Sequence, residues 1–105
     1  IVRLLQLRNY WMRHSGVTTT YEGPQASYLR KTLGLKMSRH ILDILGPAAL
    51  TFDPELGASE GHMEAHSRAG IIAIHPGGTT DIQKVIMSRR IGIGRDVREK
   101  AGALA

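Results

Sequence analysis

Apolar residues recur along this chain at helical rather than strand spacing. From Ile1 to His14 they fall at positions 1, 4, 5, 11 and 12, with Arg8 on the same face, which is the 3.6-residue period of a helix. Ser15 to Gly23 carries Gly, Thr and Ser with no sustained period and reads as a loop that turns the chain back. Pro24 suits a first helical position, since it has no N–H to satisfy, and so predicts a second helix opening there. Ala26, Leu29, Leu33, Met37, Ile41, Ile44 and Leu45 form the stripe this helix is expected to bury. Gly46-Pro47 ends it, the glycine free to turn left-handed and the proline unable to continue.

Residues 47–61 hold prolines and glycines and little periodicity, so they read as a long connection. A shorter helix follows from His62 to about Ile74, with Met63, Gly70, Ala73 and Ile74 inward, and stops at Pro76. After Pro76-Gly77-Gly78, the run Thr80-Asp81-Ile82-Gln83 has the capping-box order, a hydroxyl residue with Gln three places on, and predicts a last helix carrying Ile82, Val85, Ile86 and Ile93. Gly92 and Gly94 weaken its end, and Arg95 to Ala105 reads as a frayed or surface-bound tail. The expected fold is all-α, an antiparallel bundle of three to four helices in one domain over residues 1–105.

Composition narrows the class without choosing a function. The 105 residues suffice for one core, and a start at Ile1 rather than Met leads us to expect a piece of a larger chain. A hydrophobic content of 42% is that of a globular protein. With no cysteine there are neither disulfides nor thiolate ligands, and a cytoplasmic setting is the default expectation. No apolar run reaches the roughly 20 residues of a membrane span. A net charge of +5 suits a polyanion, but the basic residues are scattered, as on an ordinary solvated surface. A small basic DNA-binding module needs its cations aimed outward together, so no nucleic-acid partner is expected.

Three clusters invite chemistry. Gly57-Ala58-Ser59-Glu60-Gly61 satisfies the G-x-S-x-G pattern of a hydrolase elbow, but no strand-like segment precedes it to present Ser59, and a polar loop is the plainer reading. His62 and His66 have ligand spacing, yet in His-Met-Glu-Ala-His the glutamate does not follow the first histidine as in zinc proteases, so no metal is assigned. Pro76-Gly77-Gly78-Thr79-Thr80-Asp81 is a glycine-rich turn at a helix N-terminus, where N–H groups favour an electron-rich ligand. Asp81 would repel phosphate, leaving a neutral polar ligand edge or simple capping.

At this turn a resemblance enters. Gly78-Thr79-Thr80-Asp81-Ile82-Gln83, followed by a Val-Ile-Met-Ser-Arg-Arg helix, resembles the C-terminal signature of acyl-CoA dehydrogenases, Gly-Thr-Ser-Glu-Ile-Gln before an apolar, arginine-ending helix. Gly23-Pro24-Gln25-Ala26-Ser27 with Leu29 and Lys31 is similar to the start of that family's next-to-last long helix, Asp43-Ile44-Leu45-Gly46 to its exit, and Arg68 to an arginine before its active-site loop. The resemblance covers roughly residues 1 to 95. It implies the C-terminal helical domain of an FAD-dependent enzyme that removes hydrogens from Cα and Cβ of an acyl-CoA, assembled as a homo- or hetero-oligomer. Gly78, Thr79 and Asp81 would contact the flavin. Gly77 stands where many members place their catalytic glutamate and can abstract no proton, so no catalytic residue is assigned within this chain. Asp43 and Gly46-Pro47 depart from the family's adenosine-side pattern, so no cofactor contact is expected there.

Overall fold

A computed structural model describes residues 1–93; Gly94 and the tail expected over Arg95 to Ala105 lie outside the described residues. The described chain is all-helical, as the apolar spacing predicts: α1 Val2–His14, α2 Glu22–Leu45, a 3-10 turn Gly46–Ala49, α3 His62–Ile72 and α4 Thr80–Arg90, with no strand among the described residues. No helix among them is long and apolar enough to cross a membrane. The residues divide into two compact units, Ile1–Ser27 with the stretch from Asp81 onward, and Tyr28–Thr80.

In the first unit, α1 ends in a glycine-dependent cap. Gly16 adopts φ +70°, its N–H bonds Arg13 O at 3.3 Å, and the N–H of Val17 reaches Met12 O at 2.8 Å. These two bonds satisfy carbonyls the helix leaves over, in the Schellman arrangement. α4 closes the same way, with Gly92 at φ +92° and bonds from Gly92 N to Arg89 O (3.2 Å) and Ile93 N to Ser88 O (2.8 Å). Gly92 therefore terminates α4 rather than weakening it. Arg8 Nη2 donates to Gln25 Oε1 at 3.0 Å, linking α1 to the first turn of α2.

An exposed glycine in a helix interior has the opposite requirement. Neither Gly16 nor Gly34, which lies within α2, would bring a Cβ within 4 Å of another group, but only Gly16 has positive φ. Gly16→Ala is expected to destabilise the chain by about 1 kcal/mol, and Gly34→Ala to stabilise it by about 0.5–1 kcal/mol. Paired urea titrations followed by circular dichroism measure both; equal signs would contradict the cap.

α2 starts two residues before Pro24, at Glu22. Proline is accommodated because the N–H groups of a first turn have no intrahelical partner. Glu22 itself folds back, its Oε2 accepting from Thr20 N at 2.7 Å and from Thr20 Oγ1 at 3.3 Å. The Thr20 amide foremost, aided by its hydroxyl and by the charge of Arg8, holds the Glu22 carboxyl below its ordinary range.

α2 begins in the first unit and continues in the second, where it buries a different face from the one expected. Of the predicted stripe only Ala26 is buried, Leu29 and Ile41 are half-buried, and Leu33, Met37, Ile44 and Leu45 are exposed. The inward row is instead Lys31, Leu35, Ser38 and Leu42, spaced by four, three and four, with Lys31 and Ser38 each 3% exposed. The α1 face is turned only in part: Leu5 and Met12 of the expected face are half-buried, with Val2 beside them, whereas Ile1, Leu4 and Trp11 are exposed.

Ser38 sits inside because α3 crosses there. A Cβ on Gly70 would lie 2.5 Å from Ser38 Oγ and 3.1 Å from Ser38 Cβ, so the two small residues set how closely the helices approach. α3 itself ends at Ile72, two residues short of the expected boundary. Along it Met63, Gly70 and the following Ile74 are half-buried, while Ala73 is exposed.

The connection over 47–61 is folded on itself. Ala58 N reaches Ala48 O at 2.6 Å and Gly57 N reaches Asp53 O at 2.7 Å. Asp53 Oδ1 accepts from Glu55 N at 2.8 Å and Leu56 N at 3.0 Å, a side chain standing in for backbone in a turn. Ser59 and Glu60 hold φ +54° and +56° and Gly61 +80°, a left-handed stretch leading into α3.

Candidate functional site

The glycine turn expected to carry function is held by a lysine from α2. Gly77 and Gly78 adopt φ +69° and +88°, conformations that few other residues reach without strain. They lie between Pro76 and the first residue of α4, Thr80. With Thr80 already helical, Thr79 occupies the position immediately before the helix, one place earlier than the expected box. Gly77 is exposed, and Gly78 and Thr79 are half-buried.

Lys31 Nζ donates to Pro76 O at 2.6 Å and also to Gly78 O. The sequence pattern places Lys31 among solvated surface cations; the structure buries it under this turn. An ammonium so placed needs hydrogen-bonded oxygens to offset its lost hydration, and the two carbonyls provide them. No local signal marks it: Lys31 lies seven residues before Ser38 on the row through Leu35 and Leu42, which hydrophobicity alone does not select.

The peptide units fix a second direction. No peptide bond among the described residues is cis. In a planar trans unit the N–H opposes the C=O, so the carbonyls drawn to Lys31 direct the N–H groups of Gly77 and Thr79 to the opposite side. A Cβ built on Gly77 would find nothing within 4 Å. The space on the Cβ side of Gly77 is therefore open.

Of the residues implied as flavin contacts, Gly78 and Thr79 sit in this turn. Asp81 is exposed, belongs to the other unit, and its carboxylate lies 3.2 Å from Lys84 Nζ. That neighbouring cation partly offsets the charge at the helix mouth.

The other clusters are structural in their contacts. Arg68 pairs with Glu64 at 2.9 Å and stacks its guanidinium 4.7 Å from the Phe52 ring centroid, fastening α3 to the 51–61 connection. Ser59 O accepts from His62 N at 3.0 Å, and the segment before Ser59 is turn rather than strand. Among the described residues no group of three or more His, Asp or Glu is placed to hold a metal. Clefts of roughly 310 and 340 Å³ flank the α2–α3 crossing, Ser38 lining both.

No protein family, curated protein or solved structure matches the chain.

Proposed function

We propose that this chain is the C-terminal helical domain of an FAD-dependent acyl-CoA dehydrogenase-like protein, contributing flavin contacts and subunit packing to an α,β-dehydrogenation of an acyl-CoA thioester. The observation that carries the reading is the Gly77-Gly78 turn, its carbonyls drawn back by Lys31 and followed at once by α4, coinciding with the segment whose order resembles the family signature. FAD, when bound, supplies the two-electron oxidant. The chain's part is to offer the Gly78 and Thr79 backbone and the Thr79 hydroxyl to the flavin edge, with Asp81 at the start of the helix. A cytoplasmic setting and an oligomer go with this reading. The exposed faces through Leu4, Leu7 and Trp11 on α1 and through Leu33, Met37 and Ile44 on α2 are the surfaces available for packing against the rest of such a protein or sister subunits.

Gly77 at the family's base position favours a second form of the same reading, a non-catalytic partner subunit in a heteromeric dehydrogenase. FAD retention tests the cofactor role that both forms share, and turnover separates them. The full-length protein should be yellow and retain FAD through gel filtration in either case where this turn meets the cofactor. A folded, colourless protein would remove the cofactor role. Thr79→Val in that protein is expected to weaken FAD binding about tenfold through loss of the hydroxyl. Unchanged FAD affinity would remove Thr79 from the site. Turnover of acyl-CoA by the purified protein alone distinguishes the catalytic form from the partner form.

A further inference from the structure

We propose that the cleft of roughly 310 Å³ beside the α2–α3 crossing binds a small organic carboxylate, with the Ser38 hydroxyl as a donor at its floor and Arg30 as the counter-charge at its rim. The site goes beyond the flavin reading and does not depend on it. All of its residues lie in the second unit.

Ser38 lines the cleft and is 3% exposed, and its hydroxyl has no hydrogen-bond partner among the described residues. A serine on a helix can donate to the carbonyl four residues earlier, as Ser67 Oγ does to Met63 O at 3.0 Å. Ser38 makes no such bond. A donor is thus left unused on a cleft wall, and an unpaired buried hydroxyl costs free energy that a bound acceptor would recover. Gly70 keeps the oxygen uncovered from the α3 side, since a Cβ there would lie 2.5 Å from Ser38 Oγ.

The surrounding charge selects an anionic acceptor. Arg30, Lys31 and His66 line the same cleft, and among the described residues its lining includes no Asp or Glu. Arg30 is exposed and makes no ion pair among the described residues. Its planar guanidinium can meet a carboxylate with two parallel N–H donors. Lys31, held by Pro76 O and Gly78 O, adds its charge from the buried side. The second cleft differs, because Glu64 lines it along with Arg39 and Arg68 and reduces its positive excess. Gly34 and Gly70 keep the walls of the first cleft low, which leaves room for the apolar body of a ligand. Its volume stands at the lower end of ligand pockets, about 300–1,000 Å³.

The experiment titrates full-length wild type, Gly34→Leu, Ser38→Ala and Arg30→Met with benzoate and with its uncharged counterpart benzamide, binding being read by NMR from the ligand's relaxation and shift. Gly34→Leu is the blocking variant. Gly34 lines the cleft and a Cβ there meets nothing within 4 Å, so leucine takes up cleft space without displacing a neighbour and favours the helix. Wild type should bind benzoate saturably and about tenfold more tightly than benzamide. Gly34→Leu should weaken both ligands at least about tenfold, and Ser38→Ala should weaken benzoate about tenfold. Arg30→Met should bring benzoate down to the benzamide level. No saturable binding of benzoate by wild type overturns the proposal, and so does equal binding of the two ligands. Wild-type affinity in Gly34→Leu and Ser38→Ala would put the ligand elsewhere and overturns it too, while an undiminished preference for benzoate in Arg30→Met removes the assigned counter-charge. The FAD content of the wild type is measured separately, so failure of the flavin reading leaves each of these outcomes as decisive as before.

Discussion

Gly61→Ala is expected to destabilise the chain by about 3 kcal/mol, near the upper range for adding a single methyl group to a closed structure. The new Cβ would lie 2.6 Å from Phe52 C and 3.0 Å from Phe52 Cα. These are backbone atoms, which cannot rotate away as a side chain can. Gly61 also holds φ +80°, which costs an alanine about 1 kcal/mol by itself. Gly57→Ala is the informative companion. Its Cβ would meet Asp53 O at 2.5 Å, Thr51 O at 2.7 Å and Gly61 Cα at 2.8 Å, but its φ is not positive. It should therefore show the steric part of the loss without the conformational part, and destabilise by about 1 kcal/mol less. Urea midpoints monitored by helical circular dichroism give both values. A Gly61→Ala midpoint equal to wild type would mean that residues 52 and 61 do not meet, and the 51–61 connection would then be an open loop.

That connection shows what a residue pattern leaves out. Its lack of periodicity correctly marks the absence of an α-helix over 47–61, though not the 3-10 turn Gly46–Ala49 at its start, and periodicity reports only which face of a regular element is buried. The order here comes from local devices without a period: the Asp53 side chain bonding Glu55 N and Leu56 N, and glycines allowing backbone to touch backbone. Helix positions were legible for the reason the connection was not, since Gly46 and the Gly77-Gly78 pair are strong punctuation whatever surrounds them. They adopt φ +57°, +69° and +88°. Which face of α2 is inside was not legible. That helix carries two candidate rows, an apolar one through Leu33, Met37 and Ile44 and a mixed one through Lys31, Leu35, Ser38 and Leu42. Hydrophobicity alone selects the first. The structure buries the second because Ser38 is small enough for the α3 crossing and because Lys31 finds two carbonyls across the turn. The partner of a buried cation lies 45 residues away in sequence, beyond any local pattern. The candidate site was half visible for the same reason: its glycines stand together in the sequence, and the lysine behind them does not.

The α2–α3 crossing supplies the second large effect, through a double-mutant cycle. Gly70→Ala should cost about 2 kcal/mol, since its Cβ would press within 2.5 Å of Ser38 Oγ. Ser38 is 3% exposed and sits between the two helices at this crossing. Ser38→Ala deletes the oxygen in closest conflict but leaves Ser38 Cβ, 3.1 Å from the added methyl. Relief should thus be partial. The double variant Ser38→Ala/Gly70→Ala is expected to be about 1 kcal/mol more stable than the sum of the two single losses predicts, a coupling of the size found for residues in contact. Strict additivity would mean that the helices do not cross at this pair. The cycle also bears on the candidate site, because Ser38 lies on the same α2 row as Lys31, two turns further along. If α2 rolled outward to accommodate the methyl, Lys31 would be drawn from Pro76 O, and amide exchange at Gly77 and Gly78 would rise with Gly70→Ala and fall back in the double variant. Exchange that stays at the wild-type rate while stability drops would show that the clamp on the turn holds independently of how closely α2 and α3 approach.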